Sequence, residues 1–157
     1  MPQAESVFRL GQYEYSHIYR DTRELFPAAV ASYGIWIAEL AQSLRDATTT
    51  GDESVRYRHN VAHDGSMSRL LAILQLERMV WPGMGAEVVF ELYRREEEGA
   101  DKGVCGWFVR VLWGGRVFVS SHPDLGVMDM VPLETVLGYF DGLVGVGAEK
   151  VVGLCEA

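Results

Sequence analysis

A histidine and an aspartate stand side by side at His63-Asp64, where the sequence pattern changes from extended to helical. Residues 55–62 alternate between apolar and polar types, which predicts a strand. The sequence after Asp64 has apolar residues at helical spacing, which predicts a helix. Because α/β folds place ligand chemistry where a strand meets a helix, the pair is the first candidate for a functional site.

The residue types alone allow more than one role for the pair. Asp64 or Ser66 could be an ordinary helix N-cap, with His63 merely preceding it. Alternatively, His59, His63 and Asp64 form H-x-x-x-H-D, and two histidines four apart can share a metal ion on a helix. On a strand the same spacing separates them by about 13 Å, so the predicted strand disfavours a metal site.

Phosphate-ester chemistry is the third interpretation of the pair. The N-terminus of the following helix offers N–H groups and a positive dipole end to an anion. A neighbouring aspartate can protonate the leaving oxygen, a role worth roughly 10²–10⁴-fold in rate. The capping and phosphate interpretations both remain open at this point.

Four stretches with helical periodicity surround the pair. The first covers residues 4–17, and the second starts near Pro27 and ends near Ala47. The third follows Asp64 and stops at Trp81-Pro82-Gly83. The fourth opens at Pro132 and carries a clear apolar stripe. The second of these helices is strongly amphipathic and is expected to lie on a sheet.

Strand patterns follow the third helix. Residues 87–93, 107–113 and 116–120 are rich in β-forming residues, and Gly114-Gly115 is a hairpin signal. The charge run 94–103 and the polar stretch 48–54 are predicted to be loops. The mixture indicates an α/β fold, although a parallel sheet normally needs more strands than these.

Composition and charge limit the classes of function. A chain of 157 residues is expected to form one domain, and a net charge of −8 disfavours non-specific nucleic-acid binding. The sequence has no run of eighteen apolar residues, so no membrane span is predicted. The two cysteines, Cys105 and Cys155, could pair or remain free thiols.

The sequence around the pair resembles the histidine acid phosphatases, the family that contains phytases and the lysosomal and prostatic acid phosphatases. The resemblance is carried by HDGSMSRLLAILQL, WPGMGAEVVFELYRR, VRVLWGGR and VPLETVLGYF. It extends over residues 5–155 and is strongest from 55 to 120. It implies that residues 1–157 form a single, incomplete domain. The implied fold is a partial three-layer α/β/α sandwich like the C-terminal part of a phosphoglycerate-mutase-like (histidine phosphatase) fold.

The resemblance also implies a mechanism: a histidine attacks phosphorus, a phosphohistidine forms, and water releases phosphate without metal or cofactor. Carried over by position, His63 would hydrogen-bond the phosphoryl group and Asp64 would be the general acid. The nucleophile motif of the family, R-H-G-x-R-x-P, is absent, because the one Arg-His pair, Arg58-His59, is followed by Asn60. The chain alone is therefore expected to be inactive.

Two functions follow from this pattern. The chain could be a truncated acid phosphatase that binds a phosphate monoester. It could instead be a pseudophosphatase or interaction module, in which a missing central strand leaves residues 87–93 with an unpaired edge for self-association or for a partner. Members of the family are usually secreted, vacuolar or lysosomal. Residues 1–15 lack the apolar core of a signal peptide, so the location stays open.

Overall fold

A computed structural model of the protein describes residues 2–49, 56–95 and 106–154. These residues combine helices with a four-stranded antiparallel sheet, a mixture that is compatible with α/β. The helices are α1 (Pro2–Ser16), α2 (Leu25–Thr49), α3 (Asp64–Ile73), α4 (Leu133–Val144) and α5 (Val151–Leu154). A π-helical turn, His17–Asp21, extends α1, and a 3₁₀ turn, Val146–Ala148, precedes α5. The strands are β1 (Val88–Arg94), β2 (Trp107–Trp113), β3 (Arg116–Val117) and β4 (Val131–Pro132).

Helix α2 is the scaffold of the core. Its buried residues recur every three or four positions, and they include Val30, Ile37 and Ala41. Helices α3, α4 and α5 all contact α2. Gly34 lies on this buried stripe, where a Cβ atom would stand 2.8 Å from a methyl group of Val151. A glycine at this position therefore lets α5 approach α2 closely.

The sheet is built around β2. Strand β1 pairs with one edge of β2, with Val88 opposite Trp113 and Arg94 opposite Trp107. Strands β3 and β4 share its other edge. The turn between β2 and β3 has positive φ at Gly114 (53°) and Gly115 (72°), as a two-residue hairpin turn requires. The predicted hairpin is confirmed.

The two faces of the sheet differ. Val109 and Val111 of β2 are fully buried in the same cluster as Val136 and Phe140 of α4. Side chains alternate along a strand, so Arg110 lies on the opposite face. There its guanidinium is 2.6 Å from Asp129 and 3.8 Å from Glu91. One face of the sheet thus belongs to the core and the other carries a partly exposed ion-pair cluster.

The four predicted helices are confirmed. The first, second and fourth have ends close to the predicted ones, but the third ends at Ile73, so its predicted stop at Trp81-Pro82-Gly83 is wrong. Predicted strands 87–93 and 107–113 match β1 and β2. The third predicted strand, 116–120, is shorter: β3 ends at Val117, and only isolated bridges follow at Val119 and Ser120. Most of the loops predicted at 48–54 and 94–103 lie outside the described residues, as do Cys105 and Cys155.

The strand predicted at residues 55–62 is wrong for its described part. Residues 57–63 have no regular structure. Their side chains are exposed, Tyr57 by 77% and Val61 by 89%. A strand is stable only when a neighbour binds its backbone N–H and C=O groups, and no described strand pairs with this segment. The alternating pattern is present, but the described residues contain no neighbouring strand that pairs with this segment.

Substitution of Gly34 tests the close packing of α2. We expect Gly34→Val to destabilise the protein by about 1–3 kcal/mol, because the larger side chain must displace Val151 and Val144. The matched control is Gly138→Val on α4, where a Cβ atom meets nothing within 4 Å. Urea unfolding measures both variants. Equal stability of the two would show that α2 and α5 are not closely packed.

Candidate functional site

The first turn of α3 contains the His-Asp pair. His63 is the N-cap residue, with an extended backbone (φ −89°, ψ 164°), and its carbonyl accepts a bond of 2.9 Å from the Met67 N–H. The side chain of His63 makes no capping hydrogen bond. The predicted N-cap at Asp64 or Ser66 is therefore wrong. Asp64 is the first helical residue instead, where a carboxylate is favoured by the helix dipole.

Three donors surround the carboxylate of Asp64. The hydroxyl of Tyr15 donates to Oδ2 at 2.9 Å, the Gly65 N–H donates to Oδ1 at 2.8 Å, and the indole N–H of Trp81 lies 3.5 Å from Oδ2. The bond from Tyr15, followed by those from Gly65 and Trp81, lowers the pKa of Asp64. Asp64 is therefore an anion at neutral pH.

Tyr15 shows the reciprocal effect. Burial and the hydrogen bond to Asp64 raise the pKa of the Tyr15 hydroxyl, so this group stays protonated and remains a donor. The two groups shift in opposite directions because one hydrogen bond favours the neutral phenol and the charged carboxylate together.

An aromatic cluster brings Tyr15 to Asp64. The ring of Tyr15 lies 5.3 Å from that of Tyr19 and 6.2 Å from that of Trp81, and Phe8 packs on Trp81 at 6.1 Å. The sequence does not predict the contact of Tyr15 with Asp64, because the two residues are 49 positions apart. Trp81 was predicted only as part of a turn. A tyrosine-rich stretch in 13–19 was the available signal, but it has no fixed spacing to the pair.

Two arginines fix the elements around the pair. Arg20 donates from Nη1 to the carbonyls of Leu76 (2.7 Å) and Glu77 (2.6 Å), which joins the π-helical turn to the chain after α3. Arg69 binds the Gly65 carbonyl and the Ser32 hydroxyl, both at 2.9 Å. Arg69 thus links α3 to α2.

An open cleft of about 430 Å³ adjoins the pair. It is lined by residues 62–64, by Met67 and by residues 81–86. His63 and Asp64 are its ionisable members, while Trp81, Pro82 and Met84 form apolar walls. The structure thus brings the two predicted site residues together, whereas His59 is not in the lining. Within the described residues, no three His, Cys, Asp or Glu side chains are grouped as metal ligands.

Comparison with known proteins gives a partial match to a phosphatase. The chain is 31% identical over 87 residues to 2-phosphoxylose phosphatase 1 from Danio rerio. The match covers 50% of this chain but 17% of that protein, so the chain spans a small part of the relative's length. This similarity supports the histidine phosphatase superfamily and nothing finer. No family model matches the chain, and no solved structure does. No described helix is long and apolar enough to cross a membrane.

The two hydrogen bonds from Arg20 predict that this side chain anchors the π-helical turn, and with it α1, to the chain after α3. We expect Arg20→Met to destabilise the protein by about 1–3 kcal/mol, because two carbonyls lose a charged donor. It should also speed cleavage of the chain near residues 17–24 in limited proteolysis. Arg23→Met, at an exposed position on the same segment, is the matched control. Indistinguishable behaviour of the two variants would contradict an anchoring role.

Proposed function

We propose that this chain is part of an acid phosphatase of the histidine phosphatase type and that its cleft binds the phosphoryl group of a phosphate monoester. His63 contacts the phosphoryl oxygens, and Asp64 is the general acid for the leaving group. The observation that carries the proposal is the placement of both side chains at the N-terminus of α3, on the wall of one cleft. The resemblance around HDGSMSRLLAILQL and the partial match to a phosphatase support it.

The chemistry assigned to each group follows from its position. The positive end of the α3 dipole and the His63 ring provide favourable interactions for phosphate oxygens. The ester oxygen that leaves must gain a proton, which Asp64 would supply. Asp64 must first be protonated, although its hydrogen bonds favour the anion. A phosphate dianion beside it raises its proton affinity through like-charge repulsion, so substrate binding itself promotes the acid form.

The nucleophile is assigned to a part of the enzyme outside this chain. Among the described residues, His63 is the one histidine in the cleft lining. An attacking histidine would have to come from elsewhere in a longer protein or from a separate polypeptide. The same missing part would complete a three-layer sandwich by covering the face of the sheet that bears Arg110. We therefore propose that the chain binds phosphate but does not turn over esters by itself.

Phosphate binding tests this function directly. We expect inorganic phosphate and phenyl phosphate to bind the chain in calorimetry or phosphorus NMR. We expect His63→Ala to weaken both by about tenfold or more, which corresponds to about 1.4 kcal/mol for the lost contact. His59→Ala is the matched control, since His59 lies outside the cleft lining. Equal affinity of the two variants would refute the phosphate contact.

Hydrolysis of a phosphate ester is the second test of the proposed function. The isolated chain should not hydrolyse an aryl phosphate at acid pH, because it lacks the nucleophile of the family. Hydrolysis that disappears in Asp64→Ala would refute the proposed inactivity and reveal a different nucleophile.

An interaction module is the alternative function, and the edge of β1 favours it. Gly114 N–H bonds to the Glu87 carbonyl, and Arg95 N–H bonds to the Gly106 carbonyl. In an antiparallel pair, residues that hydrogen-bond to the partner strand alternate with residues that do not. The odd-numbered residues of β1 therefore bond to β2, and the backbone N–H and C=O groups of its even-numbered residues point away from β2. No described strand pairs with that outer edge. An edge of this kind is a template for a strand from a second chain.

Proline at an outward position tests the alternative. If β1 pairs with a second copy, Leu92→Pro should abolish association, because it removes a donor on the outer edge and leaves the ladder with β2 intact. Leu92→Ala is the control, since it loses the same side chain but keeps the N–H. Sedimentation measures both. A monomeric parent chain, or equal association of the two variants, would exclude pairing through β1.

A further inference from the structure

The carboxylate of Asp64 is held by a residue that neither the resemblance nor the partial match assigns to the site. We propose that Tyr15 is a positioning residue for Asp64: its hydroxyl, carried in on α1, orients the carboxylate at the cleft and stabilises it against the acid form. This inference rests on the proposed function, because it concerns the proton that Asp64 would donate.

The geometry separates the contribution of Tyr15 from those of the other groups around Asp64. The Gly65 N–H is local to α3, and its bond to Oδ1 forms within the first helical turn. The Trp81 N–H is 3.5 Å from Oδ2 and makes a long contact. Tyr15 donates to the same oxygen at 2.9 Å and comes from a separate helix. Of the described donors, Tyr15 is thus the one that could be withdrawn by a movement of α1.

The titratable neighbours do not replace this bond. His63 adjoins Asp64 in sequence and contributes a weak favourable interaction with the carboxylate. Tyr19 faces Tyr15 across 5.3 Å, and its ring lies under the guanidinium of Arg69 at 5.7 Å. That guanidinium donates to the Gly65 carbonyl and the Ser32 hydroxyl. Among the described groups, the Tyr15 hydroxyl makes the largest contribution to lowering the pKa of Asp64.

Linkage gives the direction of the effect. A hydrogen bond that lowers the pKa of Asp64 in the folded protein stabilises the docked α1 above the ordinary pKa of an aspartate. That stabilisation is lost as the pH falls through the lowered pKa of the folded state. Protonation of Asp64 and release of the Tyr15 hydroxyl therefore favour each other. Loss of the Tyr15 bond would therefore raise the pH at which Asp64 takes up a proton.

Removal of one hydroxyl tests the proposal without catalysis. In Tyr15→Phe the ring and its packing on Tyr19 and Trp81 are retained, and only the hydrogen bond is lost. We expect the midpoint of the Asp64 side-chain titration, followed by carbon NMR of the carboxyl group in the full chain, to move to higher pH. Tyr13→Phe is the matched control, because Tyr13 is an exposed tyrosine on the same helix. Its titration should equal that of the parent protein.

The outcomes distinguish this inference from the proposed function. An Asp64 midpoint that is the same in Tyr15→Phe and the parent would overturn the positioning role. Trp81→Phe provides a second variant, for which we expect a smaller upward shift because the contact is longer. A shift larger than that of Tyr15→Phe would overturn the assignment to Tyr15. The titration needs no ligand, so a failure of phosphate binding would contradict the proposed function while the result for Tyr15 would stand.

Discussion

The burial of α2 is the constraint on which the rest of the structure depends. Ile37 and Ala41 are almost completely removed from solvent, and each fully buried aliphatic side chain of the size of Ile contributes about 1.5–3 kcal/mol. Helix α3 contacts α2, and its C-terminal half is buried, with no exposed area at Leu71 and Ile73. Its first turn is not buried. The core therefore fixes one end of α3 and presents the other end, with His63 and Asp64, at the cleft.

The other side of the site is attached less firmly. Several apolar side chains of α1 are exposed, Val7 by 68% and Leu10 by 67%, so this helix buries little surface. Its attachment depends on Arg20, on the aromatic cluster and on the bond from Tyr15 to Asp64. Segments with few buried apolar contacts open at a lower free energy than the core does. A site built from a rigid helix end and a loosely held helix can change on one side without unfolding.

Helices were predictable because their signals are local. The buried stripe of α2 and the apolar positions of α3 specify these helices in their own sequence, and the hairpin turn is specified by Gly114-Gly115. The strand predicted at 55–62 failed because a strand needs a partner, which no alternating pattern can supply. The same distinction holds for the site. His63 and Asp64 were predicted as a site from their adjacency in sequence, and this stays a prediction, whereas the bond from Tyr15 depends on how two helices meet.

The charge of the protein explains why protonation of Asp64 bears on the proposed binding of phosphate. With a net charge of −8, the chain repels phosphate in general, so binding must depend on local groups. Among the described residues, the cleft lining contains no lysine or arginine, and Asp64 adds a negative charge to it. In the proposed function, the α3 N-terminus and His63 provide the favourable contributions to phosphate binding. Protonation of Asp64 removes the opposing charge, so proton uptake and phosphate binding strengthen each other by the same free energy. Under the proposed function, an acidic medium would then favour both phosphate binding and the acid form of Asp64.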